Sequence, residues 1–506
     1  MFDDIRSAPS WRPTRRWPDW KGEREARLRK FITEQIYPYS PFYHRLFDER
    51  KIDPASIRCI DDLRRLPFTT KQDIAPTADQ PLRHLDLVLQ PDADKLRRYA
   101  PKRKLVELAL AKLRGGDEAA ARRVWLEYAP IHMTFTTGRT ALPTQFLYAS
   151  SDFDRLALCG KRLFDVMGLD PKKRTLDVFP YAPHLAFWQT VAAGLATGTL
   201  VLHTGGGKVM GTPGNLAALE RMQPSTLIGV PGYVYHLLRA AVERNLSVTS
   251  LERIVLGAER VPPSLKKRLG ELSELLGSRG VSVLGVYGFT EARLAWAECP
   301  APDYEASYGY HTYPDMEVFE IVDPASGEPV GPGERGEVVY TALVGRGSCV
   351  LRYRTGDITD GGIIYDPCPG CGRTVPRISS KLARRSDVGE FQLTKIRGTL
   401  VDLNNFLPAM AEVPEVVEWQ LVVKKRNDDP EELDELVLYV ATRDGVDVDA
   451  LRPRLTQKLL ADTEVAPNRI DALPLALLES NLGLDTQMKE LRIRDLRGNA
   501  STGSTS

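Results

Sequence analysis

Between residues 151 and 300 the chain repeats one pattern, and that pattern constrains the fold more than anything else in it. Residues 155–166 have amphipathic spacing and 185–196 read as a helix, whereas 174–179, 199–203, 226–230, 253–256 and 281–286 are short, apolar and β-prone. The β-prone runs end in turns of small or functional residues: Gly205-Gly206-Gly207, Pro231-Gly232, Gly257-Ala258-Glu259 and Tyr287-Gly288-Phe289-Thr290-Glu291. Repeated strand–turn–helix units predict an α/β fold with a parallel sheet. Ligands of such sheets sit at the carboxyl ends of the strands, where these turns lie.

The flanking segments read differently. Residues 1–75 are helical and polar, with an aromatic knot at 37–43 that predicts packing onto the body. Residues 303–365 are all β and suit a small barrel or a distorted sheet. After Arg385 a compact α+β pattern begins, with strands at 416–423, 436–441 and 469–475 and a helix at 448–460. The join at 380–390 is polar and charged, as a hinge is. At 506 residues the chain exceeds one ordinary domain. The expected division is a large N-terminal domain, residues 1–384, with mixed sheets and a small barrel-like β region. A small mobile α+β domain, 385–497, and a disordered tail, 498–506, follow it.

Charge and cysteine content narrow the function. Lys plus Arg number 68 against 67 Asp plus Glu, so bulk nucleic-acid binding is not expected. The N-terminus lacks an apolar signal core, and no run approaches the ~18 apolar residues of a membrane helix, which predicts a cytoplasmic protein with no membrane partner. Six cysteines are too few for a disulfide scaffold. Cys368-Pro-Gly-Cys371 alone is ambiguous between redox chemistry, half a metal site and chance. The basic helical stretch within 92–128 either faces an anionic partner or is a solvated face.

Two further stretches carry chemistry. In 351–357 a β-prone run meets a Thr-Gly turn that presents Asp357, an arrangement suited to a sugar diol; a solvated turn is the alternative. In 133–146 hydroxyls, Gly138 and Pro143 crowd into a short loop before an apolar strand. Such loops hold phosphate through backbone N–H groups, although the Walker A pattern is absent and a plain polar hairpin is the alternative.

Taken together, Leu66-Pro-Phe-Thr-Thr-Lys-Gln-Asp73, Gly257-Ala258-Glu259, Tyr287-Gly-Phe-Thr-Glu291, Tyr353-Arg-Thr-Gly-Asp357, the Cys371-Gly-Arg373 turn and Arg385-Ser-Asp387 resemble the adenylate-forming superfamily. That superfamily includes acyl- and aryl-CoA synthetases, adenylation domains and luciferases, and the likeness is greatest to the phenylacetate-CoA ligase branch, over about Tyr37 to Arg497. The resemblance implies an enzyme that uses ATP and Mg²⁺ to convert a carboxylic acid into an acyl-adenylate and passes the acyl group to CoA. An amine, a carrier protein or another nucleophile is the alternative acceptor, and a catalytically degenerate nucleotide-binding protein is the alternative of another class.

Residue roles follow by the same resemblance. Thr136, Thr137, Gly138 and Thr140 would meet phosphate, although Ala141 and Leu142 stand where the family has Gly and Lys. Gly257, Ala258, Glu259, Tyr287 and Gly288 would line the adenine, and Asp357 would take the ribose. Thr290 would contact the α-phosphate and Glu291 would hold Mg²⁺. Arg385 would reach phosphate or ribose, Asp387 would be the hinge, and Lys489 is the nearest candidate for the C-terminal catalytic lysine. Cys299, His311, Cys368 and Cys371 would form a structural Zn²⁺ site. Tyr181, His184, Phe187 and Tyr233 would line an aromatic acid pocket, with aromatic core packing as the alternative. A homodimer is one assembly left open.

Overall fold

In a computed structural model the described residues are 2–15, 17–136, 144–181, 183–384, 393–396, 399–402, 406–426, 434–463, 465–483 and 491–496. The N-terminal helices Lys21–Phe31 and Pro41–Glu49 pack the aromatic knot inward, and Tyr39 and Tyr43 are buried in the largest apolar core. The helical span Lys102–Tyr128 breaks at Gly115 and Gly116, where Gly116 has a φ of +72°. Its arms run antiparallel, tied by Lys104 Nζ to Glu127 at 2.7 Å, so the basic stretch becomes one arm of a helical hairpin.

That hairpin leads into β1 (Pro130–Phe135) and β2 (Gln145–Ala149), an antiparallel pair flanking the predicted phosphate loop. The capped helix Ser150–Met167 follows. The repeated region forms β3 (Arg174–Asp177), β4 (Leu200–His203), β5 (Thr226–Gly229), β6 (Arg253–Leu256), β7 (Ser282–Phe289) and β8 (Leu294–Ala297). Their order is β4-β3-β5-β6-β7-β8, parallel up to β7. The order reverses at β3, whose neighbours are the next two strands in sequence.

Two expectations change here. β7 does not stop at Val286 but runs through Tyr287-Gly288-Phe289, and no helix follows it. Leu294–Ala297 turns back as β8, antiparallel to β7, so Thr290 and Glu291 occupy a hairpin turn. All four β8 side chains are buried, which explains why an all-apolar run of that length prefers a strand between two packed surfaces.

The next region holds β9 (Tyr310–His311), β10 (Glu317–Val322), β11 (Gly336–Ala342), β12 (Tyr353–Asp360), β13 (Ile363–Ile364), β14 (Arg377–Ile378) and β15 (Lys381–Arg384). One sheet runs β10-β11-β12-β15 and another β13-β14-β9. A further correction concerns Asp357. It lies within β12 rather than on a turn after a strand, because Gly356 takes a φ of +75° and the strand continues past it. The pairing with β11 shifts register there, as a bulge does.

The segment around Thr69 secures the start of β12. Thr69 N–H donates to Arg352 O at 3.0 Å, and Arg354 N–H donates to Thr69 O at 2.9 Å. Tyr43 Oη accepts from Leu351 N–H at 2.6 Å. The aromatic knot is thus the buttress of this strand.

Among the described later residues, β16 (Leu393–Ile396) and β17 (Thr399–Asp402) form a hairpin. β18 (Val416–Lys425), β19 (Asp434–Thr442), β20 (Arg469–Ala472) and β21 (Ile493–Asp495) form a sheet of order β20-β19-β18-β21. Helix Val448–Thr463 packs on it around a separate apolar core that includes Phe406, Leu421, Leu438 and Leu455. Among the described residues, no helix is long and apolar enough to cross a membrane.

Where β8 meets β10, Glu317 Oε1 accepts from Trp296 Nε1 at 2.6 Å and from Tyr313 N–H at 2.8 Å. Burial pushes its carboxyl from the ordinary 4.5 up to about 8, against these two donors. The folded value lies above the unfolded one. The stability this group contributes is therefore complete below about 4.5 and declines as pH rises toward about 8. Replacing Glu317 with Gln keeps the shape and removes the ionisation. The variant should lose less Tm than wild type between pH 5 and 9; parallel Tm–pH curves would contradict this account.

Candidate functional site

A cleft of about 450 Å³ opens beyond β5 and β6 and along β7. Ala258, Glu259, Tyr287, Gly288 and Asp357 line one side, and Met410, Trp419 and Arg492 line the other. Tyr287 Oη donates to Asp357 Oδ2 at 2.7 Å, joining β7 to β12. Ala258 holds a φ of +72°, a conformation uncommon for a residue with a Cβ, at a cost of roughly 1 kcal/mol or more. Gly257 precedes it against the ring of Phe179, where a Cβ would stand only 3.2 Å from Phe179 Cζ.

At the β7–β8 turn, Tyr353 Oη donates to Glu291 Oε1 at 2.8 Å. Thr290 O accepts from Arg293 N–H at 3.2 Å, closing the turn. Arg293 itself has a φ of +58° and is 1 % exposed. Its guanidinium meets Asp152 Oδ2 at 2.8 Å and Leu147 O at 3.1 Å. Asp152 also accepts from Ala149 N–H at 2.9 Å and Gly347 N–H at 2.7 Å. Burial pushes the Asp152 carboxyl up, but Arg293, Arg155 and the backbone donors outweigh it and hold the group below the usual range. This network ties the β1–β2 hairpin to the turn bearing Glu291. Sequence reasoning missed Asp152, Arg293 and Tyr353. Asp152, three residues after the apolar strand at a helix start, and Tyr353, at the head of the Tyr353–Asp357 motif, had local signals; Arg293 had none.

With this geometry in hand, comparison with known proteins is informative. Residues 127–349 match the family described as AMP-binding enzyme. The chain is 29 % identical to the phenylacetate-coenzyme A ligase of Thermus thermophilus over 465 residues, covering 89 % of this chain and 86 % of that protein. It is 26 % identical to the Escherichia coli phenylacetate-coenzyme A ligase over 398 residues, covering 77 % and 75 %. The fold matches 2-hydroxyisobutyryl-CoA ligase in its postadenylation state with a TM-score of 0.68 at 20 % identity, over 93 % of this chain and 91 % of that one. Residues 127–349 thus carry the AMP-binding enzyme match, and the chain as a whole is similar to phenylacetate-coenzyme A ligases.

Within this adenylate-forming fold the expected site residues are only partly gathered. Ala258, Glu259, Tyr287, Gly288 and Asp357 share the cleft. Thr136 stands at the base of the β1–β2 hairpin, where its Oγ1 accepts from Thr144 N–H at 3.2 Å. Thr137, Gly138, Thr140, Arg385, Asp387 and Lys489 lie outside the described residues. Tyr181 and Phe187 meet edge to face at 5.0 Å, and His184 Nδ1 contacts Phe135 O at 3.1 Å. Neither these three nor Tyr233 lines the cleft; Tyr235, one helical turn from its start, does. Tyr233 Oη instead accepts from Asn215 Nδ2 at 2.8 Å, inside the apolar core.

The cysteine cluster assembles around a strand end. Cys299 follows β8, His311 lies in β9, and Cys368 and Cys371 bracket a turn. Their ligand atoms all lie within 4.8 Å of one another. Cys299 Sγ is 3.5 Å from Cys368 Sγ, and Cys371 Sγ is 3.2 Å from His311 Nε2. A tetrahedron of Zn–S bonds of about 2.3 Å has edges of about 3.7 Å, so the donor set and spacing fit that ion. His311 Nδ1 faces Ala297 O at 3.2 Å, which aims Nε2 at the cysteines.

Breaking the buried pair leaves an uncompensated charge. Arg293→Ala should lower unfolding stability by about 3–5 kcal/mol in denaturant titration. A change under about 0.5 kcal/mol would mean that the pair does not organise the turn.

Proposed function

We propose that this adenylate-forming enzyme activates an aromatic carboxylic acid with ATP and Mg²⁺, releasing pyrophosphate, and then transfers the acyl group from the adenylate to the CoA thiol. The acid–CoA ligase class rests on the family and its relatives. The observation that carries the nucleotide assignment is the Tyr287–Asp357 hydrogen bond on the wall of the cleft beside Ala258 and Glu259. In this reading the Tyr287 ring lies against adenine, and Asp357 accepts the ribose hydroxyls. Glu291, oriented by Tyr353, holds Mg²⁺, and Thr290 contacts the α-phosphate. Thr136, Thr137, Gly138 and Thr140 would hold phosphate, Arg385 and Lys489 would complete the charge balance, and Asp387 would be the hinge between residues 1–384 and 385–497.

The chemistry asks little of proton transfer. The acid is already ionised at neutral pH, so no general base is needed for its attack on the α-phosphorus. The requirement is neutralisation of charge on the phosphoryl oxygens, which a cation held by Glu291 and a hydroxyl at Thr290 supply. Tyr181 and Phe187 support the aromatic-acid reading because their crossed rings form a flat-sided corner. CoA as acceptor is tested by thioester formation; hydroxylamine trapping without a thioester would favour another nucleophile.

Acid-dependent ATP–pyrophosphate exchange tests the first half-reaction. Glu291→Ala should reduce that exchange by at least about a hundredfold while ATP binding in the absence of metal persists; near-wild-type exchange would move the metal site elsewhere.

We also propose that Cys299, His311, Cys368 and Cys371 bind a structural Zn²⁺. Such an ion would pin three separate segments and take no part in the reaction. Elemental analysis of tag-free protein should give about one zinc per chain, lost in Cys371→Ser together with several degrees of Tm. A value far below one in wild type would exclude the site.

A further inference from the structure

Asp177 and His203 end β3 and β4, and the parallel register sets them directly side by side. His203 Nδ1 lies 2.7 Å from Asp177 Oδ2. Asp177 is fully buried, and its other oxygen accepts from Phe179 N–H at 2.9 Å. Burial pushes this carboxyl up, and the two donors oppose that shift. With both carboxylate oxygens accepting, Nδ1 carries a hydrogen, and in the neutral imidazole Nε2 is then a hydrogen-bond acceptor. No described residue bonds Nε2, and the side chain is 22 % exposed.

The surroundings of Nε2 are aromatic. The His203 ring lies 5.5 Å from Phe187, and Phe187 lies 5.0 Å from Tyr181, which is 62 % exposed. Tyr181 is held over this corner by its N–H to Gly205 O at 3.3 Å. A Cβ on Gly205, at a φ of +72°, would stand 3.3 Å from Tyr181 Cβ and 2.7 Å from Val209 Cγ2, so only glycine keeps the corner open. The corner does not line the nucleotide cleft, but its chain packs against the turn that forms the cleft wall. The segment leaving Asp177 carries Phe179 onto Gly257, which opens the Gly-Ala-Glu turn. β3 is the strand at which the sheet order reverses, the usual ligand position in such sheets.

We propose that His203, positioned by Asp177, is a specificity residue that accepts a hydrogen bond from a hydroxyl or amino substituent on the ring of the acid. The preferred substrate class is then a hydroxy- or amino-aryl acid rather than an unsubstituted one. This rests on the adenylation reading above. A ring with no donor leaves Nε2 facing apolar carbon and unpaired, which penalises the wrong acid. Asp177 acts through the imidazole by fixing its tautomer and orientation.

The test is acid-dependent ATP–pyrophosphate exchange with matched pairs: phenylacetate against its 3- and 4-hydroxy and 4-amino forms, and benzoate against the corresponding derivatives. Wild type should favour the best donor-bearing acid over its parent by about tenfold or more in kcat/KM. His203→Phe should bring that ratio to about one, chiefly by raising KM for the donor-bearing acid. His203→Gln, which retains an acceptor, should recover part of the ratio and guards against a merely misfolded variant. A wild-type ratio near one across all pairs, or a ratio unchanged in His203→Phe, would overturn the proposal. Exchange with none of the acids would overturn the aromatic-acid reading beneath it.

Discussion

One carboxylate organises the centre of this molecule. Asp152 is fully buried and receives Arg293 from the β7–β8 turn, the amide of Ala149 at the end of β2, and the amide of Gly347 from a loop before β12. Three chain segments therefore meet at two oxygens. Buried ion pairs add little net stability, because desolvation offsets the attraction. Their value is geometric: a charge this deep accepts few arrangements, so the segments that supply its partners are fixed relative to one another. Gly347 illustrates the demand. A Cβ there would fall 2.9 Å from Asp152 Oδ2 and 2.1 Å from Leu147 O, so no side chain fits.

The second anchor is β12, which carries Tyr353 and Asp357 to opposite duties. Tyr353 reaches the Glu291 carboxylate, and Asp357 reaches Tyr287. Both reaches depend on a strand that changes its path at Gly356 and on the Thr69 segment that holds its start. Arg352, stacked 4.1 Å over Phe68 and paired with Glu320 at 3.0 Å, closes the same joint. Motifs far apart in the chain are thus parts of one support.

Much of this was legible in the sequence, for identifiable reasons. The parallel sheet showed itself because each β-turn-α unit carries its own local pattern, and the runs at 226–230 and 253–256 fall within a residue of β5 and β6. The joint placement of Tyr287, Gly288, Asp357, Ala258 and Glu259 followed from a set of motifs in order. What failed was local in appearance and tertiary in cause. Thr290-Glu-Ala looks like a helix start, but Leu294–Ala297 is claimed by β7. Asp357 looked like a turn residue because Gly356 allows both a turn and a bulge. Arg293 carries no motif and Asp152 only the mark of a helix start, since their importance lies in meeting each other across 141 residues of chain.

The short strand β8 connects these arguments. It begins at the buried Arg293, its Trp296 indole is held by Glu317, and its final carbonyl, Ala297 O, faces His311. A strand of four residues has too few ladder bonds to fix itself. Fastened at its start, middle and end, it becomes a rigid arm whose near end presents Glu291 and whose far end leads to the Cys299–His311–Cys368–Cys371 cluster. A metal at that cluster would hold the far end of the arm still.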